Sequence, residues 1–158
     1  FNKNNILEVG IGEPKENKDN GGSIKLWYDY FVNSIIYGLD IQDLSNVNED
    51  IINKDRIKLF TSVDAYDCNF IEEKFKNIKF DILIDDGPHT LESMIFFLKN
   101  YSPLLNDDGV LVIEDVPDYK WFDILYENTP DELKKYVHIY DLRNNKDRWD
   151  DMLFVIKR

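Results

Sequence analysis

Only one cysteine, Cys68, occurs in the 158 residues, and no apolar run approaches the roughly 20 residues that cross a bilayer. The single thiol excludes an internal disulfide and fits a reducing compartment. No transmembrane helix and no signal peptide are expected, so the chain is read as cytoplasmic. Basic residues are also in short supply. Against 31 Asp and Glu stand 19 Lys and Arg, for a net charge of −12, which repels phosphate backbones and anionic lipid surfaces. Nucleic acid and membrane are therefore poor partners. Neither linker nor internal repeat occurs. The opening residues resemble the approach to a strand, so the chain is expected to start inside a longer polypeptide with possible additional domains.

What is present makes a globular chain: 43% hydrophobic and 14% aromatic residues, despite 32% charged. A single domain of this length buries about 68–70% of its unfolded surface.

The stretch Asp81-Ile-Leu-Ile-Asp-Asp-Gly-Pro-His-Thr90 organises the rest, together with its echo Val110-Leu-Val-Ile-Glu-Asp115. Each is a short apolar run that stops on acidic residues, as a strand buried on both faces of a parallel sheet does at its carboxyl end. In open α/β sheets ligands bind at that edge. Asp86, Glu114 and Asp115 then sit at neighbouring strand ends, with His89 one turn beyond. Three carboxylates within roughly 4 Å repel by about 4 kcal/mol per pair at an effective dielectric near 20. A hard divalent cation such as Mg²⁺, which takes oxygen ligands, is the simplest compensation.

Ile6 to Gly12 reads as a first strand ending in a glycine turn, followed by a polar loop from Glu13 to Asn20. Ile24, Trp27, Tyr28 and Phe31 recur at the spacing of a helix face, with Ser23 as expected N-cap and the aromatic stripe as core. A second strand, Ile35 to Asp40, ends on an acid placed to hold ribose hydroxyls. The nicotinamide fingerprint needs a third glycine where Lys15 stands and no acid at Glu8. A carboxylate there suits a cofactor with hydroxyls and a cationic end better than one with two bridging phosphates.

Arg56 to Phe60 is a third strand, with Asp64 at the same edge and Asp67 capping a helix around Phe70 to Phe75. Thr90 caps a helix whose Leu91, Met94, Ile95 and Leu98 form one apolar face, ending near Tyr101-Ser-Pro103. Asn106 to Gly109 reads as a turn before the fifth strand. Pro117 to Tyr126 is an aromatic-rich loop or short helix that either walls a substrate pocket or packs on the sheet; Tyr119, Trp121 and Arg148 are candidate substrate contacts. Thr129-Pro-Asp-Glu132 reads as a capping box. Val137 to Leu142, containing a structural His138, and Met152 to Ile156 read as a closing hairpin. The sum is an α/β fold, a doubly wound, Rossmann-like, mostly parallel seven-stranded sheet with helices on both faces and an antiparallel C-terminal hairpin.

Leu7-Glu-Val-Gly-Ile-Gly12, Gly21-Gly-Ser-Ile-Lys-Leu-Trp27, Tyr37-Gly-Leu-Asp-Ile41, Phe80-Asp-Ile-Leu-Ile-Asp-Asp-Gly-Pro-His89 and Val112-Ile-Glu-Asp115 together resemble the class I S-adenosylmethionine-dependent methyltransferases. Within that group they look most like the metal-dependent sugar O-methyltransferases of the macrocin and mycinamicin type. The resemblance runs from about Ile6 to Asp115 and implies a divalent-metal-assisted transfer of a methyl group from S-adenosylmethionine to a sugar or glycan hydroxyl. It implies that Glu8, Gly10, Gly12, Ser23, Asp40, Ile41, Asp64, Ala65 and Asp85 bind the cofactor. It implies that Asp86, Glu114 and Asp115 hold the metal, with His89 as catalytic base beside Asp86. Pro88 stands where serine is usual, and Ser62-Val-Asp64 lacks the usual glycine before its acid. A catechol would satisfy the same metal geometry. Two rival readings are a non-catalytic cofactor-binding domain and a nicotinamide-dependent oxidoreductase.

Overall fold

A computed structural model describes residues 5–12, 20–146 and 148–158. The polar loop expected after Gly12, with Lys15 in it, lies outside the described residues up to position 19, as does the approach to the first strand at 1–4.

In chain order the elements are β1 (Asn5–Val9), α1 (Gly22–Tyr30), β2 (Ile35–Leu39), α2 (Glu49–Ile52), β3 (Ile57–Phe60), α3 (Cys68–Phe75), β4 (Phe80–Asp85), α4 (Leu91–Tyr101), β5 (Leu105–Ile113), α5 (Trp121–Asn128), α6 (Asp131–Lys134), β6 (Val137–Asp141), α7 (Arg143–Lys146) and β7 (Met152–Lys157). They build one seven-stranded sheet in the order β3-β2-β1-β4-β5-β7-β6. The strands from β3 to β5 pair in parallel, while β7 runs antiparallel to both β5 and β6. This is the doubly wound sheet with a closing hairpin that the alternation of apolar runs and helical periodicities predicts.

Two apolar clusters cover the sheet's faces. One joins Leu7, Tyr37, Phe80, Leu111 and Phe154 to α3, α4 and α5; the other joins Ile6 and Ile36 to Ile24 and Phe31 of the α1 side. Adjacent strand residues thus feed opposite clusters, as the two-residue period of a strand requires. Asp67 and Thr90 cap α3 and α4 as expected; Thr90 and Ser93 form a reciprocal capping pair. At the far end of α1, Arg56 donates to the carbonyl of Tyr28 in the last turn at 2.9 Å and to those of Phe31 and Ser34 just beyond it at 3.0 and 2.7 Å, tying the helix end to the turn that follows.

Three local expectations fail. Gly21, not Ser23, caps α1, and the Ser23 hydroxyl is spent elsewhere. Thr129 forms no capping box: its hydroxyl donates back to the Leu125 carbonyl, closing α5 rather than opening α6. Asn106 to Gly109 is not a turn between elements but the irregular first half of β5, where the pairing with β4 shifts register. His138 lies in β6 as expected, exposed on the edge strand beside the Tyr140 ring. No helix among the described residues is long and apolar enough to cross a membrane.

Candidate active site

The carboxyl ends of β1, β4 and β5 are stitched to one another. Asp86 N–H donates to the Val9 carbonyl and Glu114 N–H to the Asp85 carbonyl, each at 2.9 Å. At the β1 end Gly10 has φ +90°, a conformation that L side chains rarely adopt. A glycine is needed there for a second reason as well, since the backbone of Asp86 passes directly against it.

A cavity of about 400 Å³ opens along this edge. Its described walls come from four strand ends: Val9, Gly10 and Gly12 after β1, Leu39 to Gln42 after β2, Val63 to Tyr66 after β3, and Asp86 to Pro88 after β4. Gly10, Gly12, Asp40, Ile41, Asp64 and Ala65 are thus brought together. Asp40 shapes the wall: its carboxylate accepts from Ile11 N–H and Gln42 N–H, both at 2.8 Å, and so ties the first turn to the second.

Glu8, Ser23 and Asp85 are not among the described cavity walls. Glu8 is buried and accepts short hydrogen bonds from the Ser23 hydroxyl and the Trp27 indole, both on α1. Burial pushes its carboxyl up to about 7. Asp85 is also buried and accepts from the Tyr66 hydroxyl at 2.5 Å, while its other oxygen has no hydrogen-bond partner among the described residues. Burial again raises it to about 7. Trp27 and Tyr66 were not identified as site residues from the sequence. The helical stripe hides Trp27 among core aromatics, and no motif marks Tyr66.

Beside the cavity, Asp86, His89 and Asp115 each offer a ligand atom within 4.8 Å of the others. His89 Nε2 lies 3.1 Å from Asp86 Oδ1, and this hydrogen bond is the main cause of a raised imidazole pKa. Glu114 is not part of that three-residue group. Burial first, then repulsion from Asp86 and Asp115, lifts it to about 7, so it still feels the same negative field. Arg148, considered above as a substrate contact, donates to Asp115 Oδ2 at 2.6 Å. Trp121 packs against the core and Tyr119 is exposed against the Phe122 ring, so neither is drawn to the cluster.

His89 and Asp115 both have positive φ, +52° and +48°, as does Ser62 at +56° beside the cavity. Such left-handed backbone costs a non-glycine residue about 1–3 kcal/mol and persists where its surroundings over-determine it. Two of these three strained residues belong to one three-residue group, so the fold holds that group at a cost. Two carboxylates, an adjacent Glu114 and an imidazole form a donor set that fits a hard divalent cation, because the oxygens supply the ligands and the cation offsets the mutual repulsion of the acids.

No protein-family model matches the chain. Curated relatives do. The chain is 34% identical over 117 residues to mycinamicin VI 2''-O-methyltransferase of Micromonospora griseorubida, covering 73% of this chain and 28% of the relative. It is 34% identical over 118 residues to demethylmacrocin O-methyltransferase of Streptomyces fradiae, with the same coverage. The chain therefore spans 28% of the length of the curated relatives it matches. Among solved structures, a methyltransferase of the mycinamycin biosynthetic pathway in complex with Mg, SAH and mycinamycin VI superposes with a TM-score of 0.70 at 25% identity, over 97% of this chain and 44% of that one. Methanococcus jannaschii fibrillarin superposes with a TM-score of 0.68 over 99% of this chain and 66% of its own, at 15% identity, a likeness of fold alone. Strand order, cavity position and relatives converge, and the chain belongs to the class I S-adenosylmethionine-dependent methyltransferases.

Proposed function

We propose that the chain carries the catalytic centre of an S-adenosylmethionine-dependent, divalent-cation-assisted O-methyltransferase acting on a hydroxyl of a sugar or glycoside. One observation carries this reading: Asp86 both walls the cavity and belongs to the Asp86, His89, Asp115 group. A donor seated in the cavity and an acceptor held at the group therefore meet at a single residue, which is what a direct displacement needs for alignment. The curated relatives bear the names of sugar O-methyltransferases, which supports the choice of acceptor. On this reading residues 1–158 act as one methyltransferase domain.

When bound, the sulfonium donor would supply the methyl carbon, and a divalent cation, Mg²⁺ by its oxygen-rich ligands, would supply the positive charge that makes the acceptor hydroxyl more acidic. Asp86, Glu114 and Asp115 hold that cation. Gly10, Gly12, Asp40, Ile41, Asp64 and Ala65 wall the cofactor, with Asp40 on the ribose hydroxyls. Glu8, fixed by Ser23 and Trp27, and the buried Asp85 lend negative potential to the cofactor's cationic end without walling it. Donation from His89 Nε2 to Asp86 selects the tautomer whose Nδ1 is basic, and that nitrogen accepts the hydroxyl proton.

The test is methyl transfer from S-adenosylmethionine to candidate glycosides, with and without EDTA. Activity that disappears on chelation and returns with Mg²⁺ is expected, together with loss of at least about 100-fold in His89→Ala. Turnover that survives complete removal of divalent ions overturns the metal role. Binding of S-adenosylhomocysteine with no turnover on any glycoside, and no effect of His89→Ala, favours a non-catalytic domain instead.

A further inference from the structure

Arg148 is a guanidinium placed where a metal's charge is wanted. It donates from Nη2 to Asp115 Oδ2 at 2.6 Å, and its Nε lies 3.6 Å from Asp150 Oδ1. The two carboxylates differ in freedom. Asp115 is held: its side chain is 12% exposed, its backbone is strained at φ +48°, and the next residue, Val116, donates its N–H to the Met152 carbonyl at 2.9 Å. Arg148 is the exposed partner, its side chain 51% open to solvent, and it keeps a second acid within reach.

A guanidinium and a divalent cation on one carboxylate repel each other, and within a few ångströms and partly out of water that repulsion exceeds thermal energy. We propose that Arg148 competes with the divalent cation for Asp115 and, when the cation binds, exchanges to Asp150, so that this one side chain sets the cation affinity of the site. The inference rests on the reading of Asp86, Glu114 and Asp115 as cation ligands and adds a residue that reading does not use. The cost of the exchange is limited because Arg148 already pairs with Asp150 and keeps that charge partner when it gives up Asp115. It makes Arg148 a positioning residue: it restrains Asp115 and leaves when the cation is seated.

The experiment is titration of the full chain with MgCl₂ and with MnCl₂ by isothermal calorimetry, with no cofactor or acceptor, in wild type, Arg148→Gln, Asp150→Asn and the double variant. Folding of each is checked by its thermal melt. Removal of the competitor should tighten cation binding on the order of ten-fold in Arg148→Gln. Asp150→Asn should weaken binding several-fold in the wild-type background, because Arg148 loses its alternative partner, and should do much less in the Arg148→Gln background. Trp149, next in the chain and 70% exposed, gives a second readout. Its emission should shift on MgCl₂ addition, and the shift should be lost in Trp149→Phe. Unchanged or weaker cation affinity in Arg148→Gln, or the same Asp150→Asn effect in both backgrounds, overturns the exchange while leaving the cation site standing. A wild-type chain that takes up neither cation overturns both.

Discussion

A Cβ built on Gly10 would lie 1.9 Å from the backbone carbonyl oxygen of Asp86. The glycine turn after β1 is thus shaped by the β4 strand end as well as by any ligand. Gly10→Ala meets both a positive φ and rigid backbone, so one strand tip must move. We expect a loss of about 2–4 kcal/mol in stability by denaturant midpoint. Because Asp86 is displaced, Mg²⁺ affinity should fall with it. A variant as stable as wild type would mean that the two turns are not packed as described.

Tyr66, on the cavity wall, hydrogen-bonds the buried Asp85 behind it. With one carboxylate oxygen already unpartnered among the described residues, Tyr66→Phe removes the hydroxyl that hydrogen-bonds the other and leaves Asp85 only the Gly87 backbone N–H. We expect about 1–3 kcal/mol of destabilisation, the cost of an unsatisfied buried polar group. In an Asp85→Asn background the same change should cost less, which a double-mutant cycle by urea unfolding reads directly.

The buried acids set a pH dependence whose sign follows from their direction. Glu8 rises from 4.5 to about 7 on folding. Below pH 4.5 both folded and unfolded states hold the proton and nothing is lost. Between 4.5 and 7 the unfolded state releases the proton and the folded state keeps it, so stability falls as pH rises; above 7 the loss is constant. Asp85 and Glu114, also raised to about 7, add slopes of the same sign. The melting temperature without cofactor or divalent cation should therefore decline from pH 5 to pH 7.5. Glu8→Gln should flatten that decline whatever its absolute stability, and saturating Mg²⁺ should reduce the part due to Glu114. A melting temperature that climbs across this range contradicts the burial of these acids.

Arg56 holds the end of α1 by three carbonyls and lies 4.0 Å from the centre of the Tyr28 ring. Arg56→Ala should cost about 2–4 kcal/mol, since hydrogen bonds to a charged donor contribute more than neutral ones. Arg56→Lys should recover only part of that, because an ammonium lacks the guanidinium's fork. Since α1 also supplies Ser23 and Trp27 to Glu8, amide exchange should rise along the whole helix.

Much of the fold is legible in single residues. Runs such as Ile82 to Ile84 and Val110 to Ile113 are too short and too apolar for surface helices, and each halts on acids, so the parallel sheet and its functional edge can be read from the chain. Caps that depend on one side chain and its neighbours, Asp67 and Thr90, can be read as well. Ser23 could not, because its hydroxyl has a choice between the helix end and a carboxylate 15 residues earlier, and the carboxylate wins.

The sequence by itself determined which residue types arrive at the strand ends: Asp85, Asp86, His89, Glu114 and Asp115 follow from periodicity and motif, because each closes its strand or follows it within a few residues. Only the tertiary structure decided who answers those charges. Trp27 reaches Glu8, Tyr66 reaches Asp85 and Arg148 reaches Asp115 across separations of 19, 19 and 33 residues. No local pattern encodes such partners, since a buried carboxylate constrains the charge and hydrogen bonding around it but not the place in the chain from which they come.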